Sequence, residues 1–216
     1  MILRLVVLGA LGARAFAPPR PRALKSQLFA GGFVLGPPQD APSAAELSSE
    51  NVYRIVKEEC SDADVNALVW KCLGYLEGPD GAWDTAKVFP KWLAKYPAPP
   101  DVVGVSRTYS KDIDEAVLRA NQALVNSIPM AHKRGIREHL DPLGFTGLPL
   151  EGLTPNKTRR AQCANWLLYY RDKLWGLSLE ELQAQKKIDV DRENAIARAE
   201  GKSLKVATAP PAAPTP

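Results

Sequence analysis

The chain has 216 residues, 45% of them hydrophobic and 24% charged, which excludes a collagen-like, wholly disordered or disulfide-dense protein. Three cysteines are too few for a stapled secreted scaffold. The net charge of +4 resides in residues 1–30, where Arg4, Arg14, Arg20, Arg22 and Lys25 meet no acid. The rest holds 23 basic and 24 acidic groups, so bulk charge gives no warrant for nucleic-acid binding.

Residues 1–15 read as a signal peptide. Arg4 supplies the positive start, Leu5–Leu11 the apolar run and Ala13-Arg14-Ala15 the small-x-small cleavage pattern. The run falls far short of the roughly 20 apolar residues that span a bilayer, and no later run qualifies. Residues 16–43 read as a transit peptide and linker. Phe16 is followed by a basic, acid-free, Pro-rich stretch as far as Ser26, the composition of a transit segment. The junction Ala15-Phe16-Ala17-Pro18 resembles the bipartite presequence of algae with complex plastids, and so implies the plastid stroma; secretion without a transit step is the competing reading. Gly31–Ser43, with Gly36-Pro37-Pro38 and Pro42, reads as a flexible linker.

A helical domain is expected over residues 48–176. Ser48 or Ser49 can cap a helix running to about Glu59, and Ser61-Asp-Ala-Asp64 is a capping box opening a second. In that helix Val65, Leu68, Val69, Cys72, Leu73 and Leu76 share a face. Gly78-Pro-Asp-Gly81 is a turn, and Lys91–Lys95 a short helix leading into a Pro-rich strap. A helix follows over Asp112–Asn126 with Ile113, Val117 and Leu124 as its apolar side. Pro129 starts another that runs to Leu140. Thr154-Pro155 is an N-cap and first-turn pair for a helix reaching about Trp175, where Gly176 ends it. Ser178-Leu-Glu-Glu181, a further capping box, starts a charged helical extension over residues 177–201. Residues 202–216, ending in Ala207–Pro216, form a low-complexity Ala/Pro tail of disordered composition. No period-2 strand pattern stands out. The expected fold is therefore mainly α, a compact single domain with a Pro-rich strap and little or no sheet.

The stretch Leu153–Arg171 carries the most chemical information. Thr154 leaves free N–H groups at the helix start, and Lys157, Arg159 and Arg160 add cations there. Such an end can hold a phosphate, a sulfate or a partner's carboxylate. Arg171 falls on the same arc as Lys157 and Arg160, among apolar positions, and arginine on such an arc needs a carboxylate, carbonyls or a ligand. Internal acids such as Asp64 or Asp84 are the structural alternative. Trp83, Trp92 and Trp166 belong either to the core or to an aromatic surface for a Pro-rich or other ligand. His132 and His139 lie seven apart on one expected helix, too few for a metal site. Cys60, Cys72 and Cys163 include no Cys-x-x-Cys pair. Cys72 and Cys163 read as small buried hydrophobes. No phosphate loop, nucleophile elbow or zinc-protease helix is present, so neither a catalytic residue nor a cofactor nor a metal is assigned.

Several stretches resemble a family known as domain of unknown function 1823, found in cyanobacteria and plastid-bearing eukaryotes. They are Val65–Tyr75, the strap from Trp83 to Asp101, Ser127-Ile-Pro129, Leu143-Gly-Phe-Thr-Gly147, and Leu153–Arg160 with Asn165-Trp-Leu-Leu168. Together they span roughly residues 50–172. The resemblance implies a photosynthetic lineage, marks Lys111–Asn126 as an insertion and everything after Gly176 as extension, and carries no activity. The expected protein is a stromal accessory or assembly factor that binds a plastid protein through the Lys157–Arg171 surface. The alternatives are a small nucleic-acid, nucleotide or anion binder using the same cations, with tryptophans for stacking, and an enzyme of unknown class.

Overall fold

The computed structural model describes residues 31–201. The leader, the basic stretch after it and the tail of residues 202–216 lie outside the described residues. Among the described residues the fold is mainly α, with seven α-helices: α1 Ser49–Val56, α2 Asp62–Leu73, α3 Pro90–Lys95, α4 Lys111–Ser127, α5 Gly135–Leu140, α6 Pro155–Lys173 and α7 Leu179–Ala199. Two short strands, β1 Leu76–Glu77 and β2 Trp83–Asp84, pair antiparallel across the Gly78–Gly81 turn, with Leu76 opposite Asp84.

Helix α6 is the axis of the fold, and α1, α2, α4 and α5 pack around it. Cys163, Ala164, Trp166, Leu167, Leu168 and Tyr169 are all buried. A helix apolar around most of its circumference must sit inside. Leu47, Val52, Ile55, Val65, Leu68, Val69, Leu124 and Leu140, all fully buried, complete the core. Helix α7 faces α2, α3, α4 and α6 across a cleft, and the Met130 N–H donates to its Glu193 Oε1 at 3.1 Å.

The local signals act as chemistry requires. Ser48 Oγ accepts the Asn51 N–H at 3.1 Å, and Thr154 Oγ1 that of Lys157 at 3.2 Å. Ser61 with Asp64, and Ser178 with Glu181, form complete capping boxes. Gly74 ends α2 at φ +97°, and a Cβ there would lie 2.5 Å from the Lys87 carbonyl oxygen. Only glycine lets the strap pass so close.

Three expectations are corrected. Residues 31–43 are no free linker. The Val34 N–H donates to Asn51 Oδ1 at 2.7 Å, and the Asn51 amide returns a bond to the Val34 carbonyl at 2.9 Å. The Gly36 N–H reaches Glu46 Oε1 at 2.9 Å. Lys71 ties Glu46 to α2 at 2.6 Å, both side chains only 2% exposed. Residues 129–140 form no continuous helix but a 3₁₀ turn, Met130–His132, followed by α5. Asn165 of α6 causes the break, because its amide accepts the Ile136 N–H at 2.8 Å and donates to the Lys133 carbonyl at 3.2 Å. These bonds compete with intrahelical ones. Finally, Ile113 is half exposed. The first turn of α4 directs Asp114 instead toward α6, where it meets Arg159.

Candidate functional site

Two places in this frame could carry function: the basic start of α6, and a cleft beside its C-terminal half. At the helix start the guanidinium groups are already engaged. Arg159 grips Asp114 with two nitrogens, at 2.6 and 2.8 Å. Gly104 makes room for it, since a Cβ at that position would stand 3.2 Å from Arg159 Nη1. Arg160 is 1% exposed and spans three partners: the Ile55 carbonyl at 2.9 Å, Asp62 at 2.5 Å and the Cys60 carbonyl at 2.9 Å. Arg107 reaches the same carboxylate at 2.7 Å. Burial pushes the Asp62 carboxyl up, but the bonds from Arg107, Arg160 and Asn156 overcome it and hold it below the usual carboxylate range. For Asp114 the Arg159 bond is the main influence, again downward.

The internal acids are thus Asp62 and Asp114, not Asp64 and Asp84. Asp64 is spent on its capping box, and Asp84 caps the Ala86 N–H at 2.9 Å. Lys157 remains half-buried, 3.7 Å from Glu58. Arg171 lies at the far end of α6, with Ser49 Oγ at 3.0 Å, Asp172 at 2.7 Å and His139 Nδ1 at 3.1 Å. The structure therefore separates Arg171 from the cluster at Lys157, Arg159 and Arg160. It ties Thr154 to its capping role.

The tryptophans divide likewise. Trp83, on β2, sets its ring edge-on to Trp70 at 5.7 Å. Trp92 packs on Tyr96 at 4.7 Å. Trp166 is 3% exposed, donates to Ser127 Oγ at 3.0 Å and stacks on Tyr170 at 5.5 Å. Trp92 and Trp166 both line the second place, a cleft of about 800 Å³ between α7 and the body formed by α2, α3, α4 and α6. Tyr169, Tyr170, Leu174 and Trp175 continue that wall, and Leu179, Leu182, Lys186 and Asp189 of α7 face it. Its size and lining are those of a site for a ligand or partner segment. Burial, reinforced by the charges of Asp189 and Glu193, pushes the Tyr169 phenol up, and burial does the same to Tyr170. Both hydroxyls therefore stay protonated, as neutral hydrogen-bonding groups.

From sequence, Trp92 and Trp166 were candidates for an aromatic surface, but the α7 wall of the cleft was not singled out. Its signal is the spacing of Leu179, Leu182, Lys186 and Asp189, one face of α7, hidden by the charged residues between them.

The remaining groups are structural in their contacts. His132 lies 5.5 Å from the Tyr169 ring, and His139 Nε2 pairs with Asp172 at 2.7 Å. The break before α5 puts the two histidines on different elements. Cys72 and Cys163 are buried, and burial pushes both thiols up, Cys163 to about 12. Half-buried Cys60 touches Arg160 at 3.1 Å. No group of three metal-binding side chains occurs among the described residues. No described helix is long and apolar enough to cross a membrane.

A family model described as Domain of unknown function (DUF1823) matches residues 46–172. These begin at Glu46, end just before Lys173, and so take in the whole cluster around α6 but not α7. A solved structure, described as a solution NMR structure of the protein, is 37% identical, covering 62% of this chain and 95% of that one with a TM-score of 0.46. A comparison with curated proteins finds no match.

Proposed function

The chain belongs to that family, and we propose that it is a non-catalytic accessory or assembly factor of the plastid stroma, binding a protein partner in the cleft beside α6. The observation that carries this reading is the contrast between the two candidate places. The arginines at the helix start spend their donors on Asp62, Asp114 and backbone carbonyls. The cleft instead is bordered by the partly exposed rings of Trp92, Tyr170 and Trp175 around about 800 Å³ of space. Aromatic residues are what anchors a protein partner most often. The compartment rests on the composition of residues 1–30.

The test is capture from stromal extract with the intact chain and with Leu182→Arg, which puts a charge into the cleft from α7, outside the core. The reading expects a stromal protein held by the first and lost from the second, at unchanged circular dichroism. Binding to RNA that weakens steeply with salt, and is indifferent to Leu182→Arg, would instead favour a nucleic-acid binder.

A further inference from the structure

We infer that the cleft takes a short acidic segment of a partner protein, anchored by an aromatic or branched apolar side chain. The inference rests on the reading of the cleft as a partner site, and adds the chemistry of what enters it.

The charge of the cleft departs from that of the body. Beyond residues 1–30 the chain is nearly neutral, yet residues 85–100 hold Lys87, Lys91 and Lys95 and no acid. These three line the cleft from α3 and the turn before it, and Lys186 lines it from α7. All four are exposed. Among the described residues, Lys87, Lys95 and Lys186 take part in no ion pair. Lys95 Nζ stands over the Tyr96 ring at 5.2 Å, a contact that leaves its charge in place. The carboxylates at the cleft are meanwhile spent. Glu181 accepts from the Ser178 N–H and hydroxyl, each at 2.8 Å, and buried Asp189 accepts from the Gln185 amide at 3.1 Å. Lys71 is already neutralised by Glu46 at 2.6 Å. Both walls therefore offer positive charge that nothing in the described chain balances. Lys91 and Lys95 are four apart on α3, where like charges repel. An anion set against them turns that repulsion into attraction, and complementary charge of this kind selects and orients a partner.

The apolar part of the lining supplies the anchor. The same cleft presents the partly exposed rings of Trp92, Tyr170 and Trp175, with Leu182 opposite on α7. A large apolar side chain packed among such groups carries most of the energy of a protein contact. The α7 face from Leu179 to Asp189 is about 15 Å long at 1.5 Å per residue. An extended segment covers that distance in about five residues, so what enters is short. A nucleic-acid strand fits less well. No arginine lines the cleft, so the forked donors that grip phosphate are missing. The Glu181 and Asp189 carboxylates also oppose a chain charged at every unit, whereas a peptide can keep its acids toward the lysines and its apolar side chain toward the rings.

The test is selection from a random decapeptide library displayed on phage, with the intact chain as bait and the Leu182→Arg chain for counter-selection. A labelled synthetic peptide of the selected sequence is then titrated. The inference expects peptides rich in Asp and Glu beside Trp, Phe or Leu, with binding that weakens as salt rises. The double variant Lys95→Glu, Lys186→Glu, one exposed charge from each wall, should lose about tenfold or more in affinity at unchanged circular dichroism. No enriched peptide, enriched peptides without acids, or an affinity unmoved by the double variant overturns the inference. A labelled decauridylate that binds more tightly than the selected peptide, and is weakened by the same double variant, overturns it in favour of a nucleic acid. These outcomes are separate from the stromal capture. A stromal protein lost with Leu182→Arg while the selected peptides carry no acids leaves the cleft as a partner site of other chemistry. Acidic peptides selected at the cleft, with no stromal protein that depends on Leu182, would sink the stromal reading alone.

Discussion

Arg159 of α6 and Asp114 of α4, 45 residues apart in the chain, form a two-pronged ion pair at 2.6 and 2.8 Å. Neighbouring Arg160 turns the other way, into the junction of α1 and α2. Removing each should separate their contributions. Arg160→Ala should destabilise by about 3–5 kcal/mol, the scale for breaking a buried pair. Arg159→Ala should cost about 1–3 kcal/mol, as for a hydrogen bond to a charged group, because the Asp114 side chain is 21% exposed and can rehydrate. Urea unfolding of both variants checks the order. Equal small losses would mean that these arginines are not what holds α6 to its neighbours.

Trp166→Ala should be among the most damaging changes to the core. The side chain is 3% exposed, and its indole N–H has Ser127 as partner. Truncating a buried tryptophan costs about 3–5 kcal/mol. Chemical denaturation measures it; a loss below 1 kcal/mol would show that the surrounding side chains collapse into the space.

Gly74→Ala should destabilise by about 2–4 kcal/mol, within the range for strain at a special backbone conformation. The new Cβ would meet the Lys87 carbonyl at 2.5 Å, and the residue sits at φ +97°. Thermal unfolding reads this directly. Gly81→Ala, also at positive φ but with open space around it, should cost less, and a reversed order would count against the close approach.

Stability should fall on both sides of neutral pH. Burial pushes the Glu46, Asp62 and Asp101 carboxyls up, but their hydrogen bonds prevail and hold all three below ordinary values. For groups depressed in the fold, the stabilisation is complete above the unfolded values, about 3.9 for Asp and 4.3 for Glu. It is lost as pH drops through the folded ones. On the alkaline side burial raises the Tyr75 and Cys163 acids to about 12. Folding therefore weakens as pH climbs from the ordinary thiol value of about 8.5 toward the folded values. Denaturation midpoints from pH 3 to pH 11 test both limbs, and a flat profile below pH 4 would contradict the acid one.

Ending the chain after Gly176 should leave stability within about 1 kcal/mol, the usual scale for changes away from the core. Of the α7 side chains only Asp189 is buried, so the helix adds little apolar area to the core. A fall of several kcal/mol in a urea titration would show that α7 closes over the core.

How much of this was legible in the sequence depends on the range of the interaction. Ser48, Ser61, Thr154 and Ser178 were readable because a capping side chain acts on N–H groups within three residues. The central position of α6 was readable from apolar residues on both sides of Cys163–Tyr169. The partners of its arginines were not, because Asp62 and Asp114 lie 98 and 45 residues away; locally, only the capping box that occupies Asp64 hinted that Asp62 was the free acid of the pair. The break between Met130–His132 and α5 failed for the same reason: it is imposed by Asn165, from another helix. The α7 wall of the cleft was not legible because Leu179, Leu182, Lys186 and Asp189 mix apolar and charged residues on one helix face.

The bonds that pin residues 32–36 have a consequence for proteolysis. Any exopeptidase working inward from Gly31 first meets the Gly32 carbonyl, held by Arg54 at 2.9 Å, then both backbone groups of Val34, then the N–H of Gly36. Digesting past them would leave the buried side chains of Asn51 and Glu46 short of partners, at about 1–3 kcal/mol for each such group. Trimming is therefore self-limiting. An exopeptidase acting on the folded body from this side should therefore stall near Gly32, whatever residue it starts from.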